Sequence, residues 1–177
     1  MLSRLGRPFI VLACLWLSAC GFEPLYGENQ DGFSTDELLQ FIQVSPIEDR
    51  TGQLLRIELS NRLTPTRPIP EPIYALLVTL NESKAGLAVK KDASTTRANL
   101  TITAQFQLVE IGSGEVLTQG TVRSVNSYDI LLSDSATLAA EADARERGTR
   151  DLSDGIVDRI SIYLSRAQDA ATTGRSG

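Results

Sequence analysis

Apolar and polar residues repeat with two different periods along this chain, and the periods mark out its elements. Between Ala98 and Glu110, Leu100, Ile102, Ala104, Phe106 and Leu108 alternate with Asn99, Thr101, Thr103, Gln105 and Gln107. A period of two predicts a β-strand with one covered face and one polar face. Gly112-Ser113-Gly114 marks a sharp turn, and Val116–Tyr128 returns as the partner strand of a hairpin. Two registers are open to it: one turns Leu117 and Val125 inward, the other Val116 and Val122. Ile73–Leu80 is an apolar run, the pattern of a strand covered on both faces. Leu38–Pro46 is short, partly β-branched and closed by Pro46, and reads as a further strand.

A period near four appears twice. Leu55, Leu59 and Leu63 place a stripe on a helix over Gln53–Thr64, with Asp49 or Thr51 as its N-cap and Pro65 as its stop. Leu152, Ile156, Ile160 and Leu164 give a second stripe, after an Ala-, Glu- and Arg-rich stretch, Ala136–Arg147, that Ser133 or Ser135 can cap. Gly148 and Gly155 each weaken such a helix by about 1 kcal/mol, so the sequence leaves open a break near 148. Four prolines between Thr64 and Pro72 make a stiff extended crossover, or a ligand for a proline-binding module. The order β-α-β-β-β-α predicts an α+β fold, a two-layer sandwich of a four-stranded sheet and two helices.

The chain before this pattern has another character. Arg4 and Arg7 precede an unbroken apolar run, Phe9–Leu17, and then Ser18, Ala19 and Cys20. A basic start, a run of about 7–15 apolar residues and a small-residue cleavage site make a secretory signal peptide. The run is shorter than the roughly 20 residues a membrane span takes. Leu17-Ser18-Ala19-Cys20 resembles a bacterial lipobox, which implies cleavage before Cys20 and acylation of its thiol and new amine. An ordinary signal peptide with a cysteine at the cut is the alternative. Gly21 stands where an Asp would imply retention in the inner membrane, so the resemblance implies delivery to the outer membrane. The expected division is a signal peptide (1–19), a lipidated linker (20–37), one domain (38–167) and a flexible tail (168–177). Phe22, Leu25 and Tyr26 are apolar for a solvated tether; they either dock on the domain or face the membrane and a partner.

Composition narrows the function. Loss of Arg4 and Arg7 lowers 17 basic residues to 15 against 22 acids, a net charge of −7, which gives no basic field for nucleic acid. Histidine is absent, which excludes His-dependent triads, His metal sites and His acid–base work. Cys14 leaves with the leader and Cys20 carries lipid, so no disulfide pair remains. Asp143, Asp151, Asp154 and Asp158 fall in the last helix beside Arg145, Arg150 and Arg159 and read as a solvated face; paired carboxylates for glycoside hydrolysis are the other reading. No Gly-x-Ser-x-Gly elbow or Ser-x-x-Lys box occurs. No catalytic residue, cofactor or metal site is expected.

Cys20-Gly21-Phe22-Glu23-Pro24-Leu25-Tyr26-Gly27 resembles the start of the lipopolysaccharide-assembly lipoproteins (LptE, once called rare lipoprotein B) in their alphaproteobacterial form. Tyr128-Asp129-Ile130-Leu131 and Ala139–Arg147 resemble that family's last strand and helix, and the element order agrees with its fold. Glu23 departs from the pattern, which has a basic residue there. The resemblance implies a lipid-anchored plug in the lumen of a large outer-membrane β-barrel, supporting its assembly and binding the lipopolysaccharide it inserts into the outer leaflet. It also implies lipid attachment at Cys20, in the inner leaflet on the periplasmic side. Lipid A phosphates are natural partners of Lys and Arg. Lys84, Lys90, Lys91 and Arg97, around the connection between two strands, are the candidate contacts, with Arg123 as a further one. The same cations would also serve as a solvated loop that keeps a sheet edge from aggregating. Two rivals stay open: the periplasmic accessory lipoprotein of a lipid-transporting ABC system, and a lipid-anchored hydrolase.

Overall fold

A computed structural model describes residues 34–64, 71–86 and 96–175. The leader, Cys20, the arm with Phe22, Leu25 and Tyr26, most of the proline crossover, and Lys90 and Lys91 lie outside the described residues. The elements are α1 (Thr35–Leu39), β1 (Ile42–Val44), α2 (Asp49–Leu63), β2 (Tyr74–Gly86), β3 (Thr96–Glu110), β4 (Val116–Ile130) and α3 (Asp134–Arg175). The four strands form one sheet in the order β1-β2-β3-β4, with β1 parallel to β2 and the other pairs antiparallel. The expected β-α-β-β-β-α order is present, preceded by the short α1, and the fold is the α+β two-layer sandwich.

α1 arises from a local signal. The Ser34 hydroxyl accepts from the Glu37 N–H at 3.2 Å while the Glu37 carboxylate accepts from the Ser34 N–H at 2.7 Å, a reciprocal cap. Leu38 and Leu39 therefore finish a helix, and the strand expected from Leu38 is confined to Ile42–Val44. In α2, Leu55, Leu59 and Leu63 are buried as the stripe predicts. Its expected caps are not used: Glu48 precedes it without a side-chain cap, Asp49 takes a left-handed φ of 66°, and Thr51 donates to Glu82 instead.

β3 alternates as predicted, with Ala98, Leu100, Ile102, Ala104, Phe106 and Leu108 buried. β2 differs from its expectation. Leu76 is buried but Leu77 and Thr79 are exposed, because the helices cover one face of the sheet only. The two registers foreseen for β4 are reconciled by a bulge. Leu108 pairs with Thr118 and Val109 with Val116, so Leu117 is the extra residue. Val122 and Leu117 both pack on the core, while Val116 and Val125 stay exposed.

α3 is 42 residues long, about 63 Å at 1.5 Å per residue. It does not break at Gly148, and it continues to Arg175 through the stretch expected to fray. The two glycines let it lie close on the sheet. A Cβ on Gly148 would stand 2.9 Å from Ile102 Cδ1, and one on Gly155 would stand 2.7 Å from Val122 Cγ1. A polar seam fixes the helix along β4. The buried Ser124 hydroxyl donates to Asp151 at 2.7 Å, Asn126 donates to Ser124 at 2.7 Å, and Arg147 donates to Asn126 at 3.4 Å. Thr35 donates to Gln168 at 3.2 Å and joins α1 to the far end of α3.

Gly155→Val tests this seating. The β-branched side chain would force α3 off β4 and should lower stability by about 1–3 kcal/mol in urea unfolding. A variant as stable as the parent would show that the close approach does not matter.

Candidate functional site

With all helices on one side, the other face of the sheet is open. The strand register places on it Leu77, Thr79, Asn81 and Ser83 of β2, Asn99, Thr101, Thr103, Gln105 and Gln107 of β3, and Gln119, Thr121, Arg123, Val125 and Ser127 of β4. Amide and hydroxyl side chains dominate it. Ser127 donates to Asn99 at 2.7 Å and Gln107 to Gln119 at 3.2 Å. The described charges on this face are Arg123 and the Arg97–Asp129 pair, 3.2 Å apart at one end. A depression of about 470 Å³ runs along it, lined by Leu77, Thr79, Gln105, Gln107, Gln119 and Thr121. The polar half of β3 was legible in the sequence. Its continuation over β2 and β4 was not, because Ile73–Leu80 reads as doubly covered.

The cationic candidates do not gather on one surface. Lys84 and Arg97 lie at the same end of the sheet, flanking the β2–β3 connection, but on opposite faces. Lys84 pairs in register with the buried Leu100 and turns to the helix side, while Arg97 turns to the open side. Each has an acidic partner: Lys84 Nζ is 2.6 Å from Glu141 Oε1, and Arg97 bonds Asp129. Arg123 is exposed partway along β4 and has no ion-pair partner among the described residues. The same end carries apolar side chains that the sequence reading missed. Leu131 and Leu138 are exposed, and Leu132 is 97% exposed.

On the helix side of this end a charge cluster closes the core. Arg145 grips Glu82 with two bonds, at 2.9 and 3.0 Å, and reaches Glu141 at 2.7 Å. The bond from Arg145 holds Glu82 below the usual carboxylate range against the opposing effect of burial. Bonds from Lys84 and then Arg145 do the same for Glu141. The Tyr128 hydroxyl, 3.4 Å from Glu141, is pushed up by burial and by that carboxylate.

Three of the four candidate aspartates of α3 have a described partner. Asp143 pairs with Arg147, Asp151 holds Ser124, and Asp154 pairs with Arg62. Among the described residues no group of three His, Cys, Asp or Glu is placed to hold a metal, and no helix is long and apolar enough to cross a membrane. The described geometry offers binding surfaces: an open polar sheet face and a cationic sheet end.

Comparison with known proteins bears on the family and the fold. A family model described as lipopolysaccharide-assembly, LptE, matches residues 39–160. An uncharacterised Rickettsia prowazekii protein is 25% identical over 132 residues, covering 73% of this chain and 78% of its own. A candidate lipoprotein of Caulobacter crescentus superposes with a TM-score of 0.62 at 22% identity, over 75% of this chain and 96% of that one. A minor lipoprotein of Acinetobacter baumannii superposes with a TM-score of 0.51 at 20% identity, over 68% of this chain and 91% of that one. These two likenesses concern the fold.

The charge cluster predicts a pH response. Depressed carboxylate pKa values stabilise the fold above their ordinary value of 4.5, and that contribution is lost as pH falls through the folded-state value. Stability to urea should therefore drop below about pH 4.5 less steeply in Glu82→Gln/Glu141→Gln than in the parent. Equal slopes would remove the cluster from the acid response.

Proposed function

We propose a function from one premise: the chain belongs to the lipopolysaccharide-assembly family, LptE. Its role lies in lipopolysaccharide assembly, and it is a non-enzymatic assembly protein. The finer reading is ours. The domain hangs from the inner leaflet of the outer membrane by lipid on Cys20, and it plugs the lumen of a β-barrel partner. There it supports the barrel's assembly and the insertion of lipopolysaccharide into the outer leaflet.

One observation carries the plug reading: the open sheet face, broad, hydrogen-bonding and nearly without charge. Lumens of large barrels are polar. A face of Asn, Gln, Ser and Thr exchanges water for lumen hydrogen bonds, whereas a charged face would lose its hydration at several kcal/mol per unpaired ion. For the ligand, the sheet end around the β2–β3 connection has the matching chemistry. Lipopolysaccharide is an anionic amphiphile; Arg97, Lys84, Lys90 and Lys91 answer its phosphates, with Arg123 farther along β4, and Leu131, Leu132 and Leu138 answer its acyl chains.

A photoreactive residue at Thr103 tests the plug. In cells it should trap a large outer-membrane barrel protein; trapping an inner-membrane transport subunit would overturn the reading in favour of an accessory role in lipid transport. The ligand site is tested separately. Lys90→Glu/Lys91→Glu/Arg97→Glu should weaken lipopolysaccharide binding by the purified protein about tenfold or more, and unchanged binding would remove these residues from the site.

A further inference from the structure

The open face is not uniform. At the β3–β4 hairpin end, Ile73 is 44% exposed, Leu77 44%, Ile111 50% and Val116 46%. These residues are neighbours: the Ile111 N–H donates to the Ile73 carbonyl at 2.9 Å, and the register sets Ala75 beside Val109 and Val109 beside Val116. Scattered exposed aliphatics such as Val125 are ordinary, but a contiguous aliphatic patch on a face elsewhere dominated by amides and hydroxyls marks a contact. Its rim is acidic. Glu71 and Glu115 flank it in sequence, and 71–77 and 107–119 contain no Lys or Arg.

We propose that this patch docks a protein partner whose contact segment carries aliphatic side chains flanked by Lys or Arg. The inference rests on the reading that the open face meets a protein, and it names the end where binding energy concentrates. An apolar centre with a charged rim is the anatomy of such contacts, and a few central side chains carry most of the energy. The acidic rim argues against the other occupants. Basic residues add about 1 kcal/mol each to adsorption on anionic lipid, and segments 71–77 and 107–119 supply none. A second copy would set the same patch against itself across a two-fold axis, Glu against Glu. A cationic partner is attracted by the same two carboxylates. The uncharged trough beyond Leu77 then supplies fit and hydrogen bonding.

The test uses the full-length protein in its own membranes, with the Thr103 photoprobe as a reference for the plug reading. Ile111→Asn/Val116→Asn and Glu71→Lys/Glu115→Lys should each lower the barrel partner recovered in mild detergent about tenfold, with thermal unfolding of the free protein little changed. Ile73→Gln, outside both strands of the hairpin, should reduce recovery without touching the turn. Wild-type recovery in all three variants, with the Thr103 crosslink still formed, overturns this inference and leaves the plug reading standing. No barrel crosslink in the parent overturns both. Flotation of the parent with phosphatidylethanolamine–phosphatidylglycerol vesicles that is lost in Ile111→Asn/Val116→Asn makes the patch a lipid contact and overturns the proposal.

Discussion

One-sided cover of the sheet is the constraint on which the rest of this molecule depends. A four-stranded sheet has two faces, and α2 and α3 both pack on the same one. Burial of a Leu or Ile contributes about 1.5–3 kcal/mol. The stripes Leu55–Leu63 and Leu152–Leu164 meet the apolar rows of β2, β3 and β4, so that side supplies most of the stability. The other side must remain soluble, or be covered by something else, without support from the helices. Its Thr, Asn, Gln and Ser residues follow from that demand, as does the strict alternation of β3.

α3 is what makes one-sided cover sufficient. Its apolar stripe attracts it to the sheet, but such a stripe alone would tolerate sliding along the strands. Ser124, Asn126, Asp151 and Arg147 set its position, and the glycines at 148 and 155 let its backbone approach. Each hydrogen bond nets only about 0.5–1.5 kcal/mol. Removing one partner from a buried pair costs more than that, so the seam penalises a slipped helix more than it rewards the seated one. The core ends where its apolar rows end. Beyond Leu80 the helix-facing positions of β2 become Glu82 and Lys84, and the helix layer answers with Arg145 and Glu141.

Long periodic segments were legible from the sequence. The alternation of β3 and the two leucine and isoleucine stripes specify face and partner together, and the fold class follows from their order. The departures are local. α1 was missed although Ser34 and Glu37 stand at capping-box spacing, because Leu38-Leu39 beside Phe41-Ile42 reads as a strand by composition. Gly148 looked like a breaker, since propensity knows nothing of a neighbouring Ile102 that leaves no room for a Cβ. The register of β4 was undecidable because a bulge satisfies both alternatives in turn. For the candidate site, the cations were visible but their pairing was not: Glu141 lies 57 residues from Lys84, and Asp129 lies 32 from Arg97.

That pairing limits what the cationic end can do. An anion arriving at Lys84 finds a partner already bonded to Glu141, itself held by Arg145. It must displace a charge-assisted bond, and only the difference between two such bonds is left as affinity. Arg97 is in the same position with Asp129, though more exposed and cheaper to release. Recognition there would be exchange between competing carboxylates and phosphates, and it would favour ligands that present several anionic groups at once together with apolar chains for Leu131 and Leu132. The aliphatic patch lies at the other end of β3, a 15-residue strand that spans about 50 Å at 3.3 Å per residue. An amphiphile at one end and a protein contact at the other would thus be held apart by the length of the sheet.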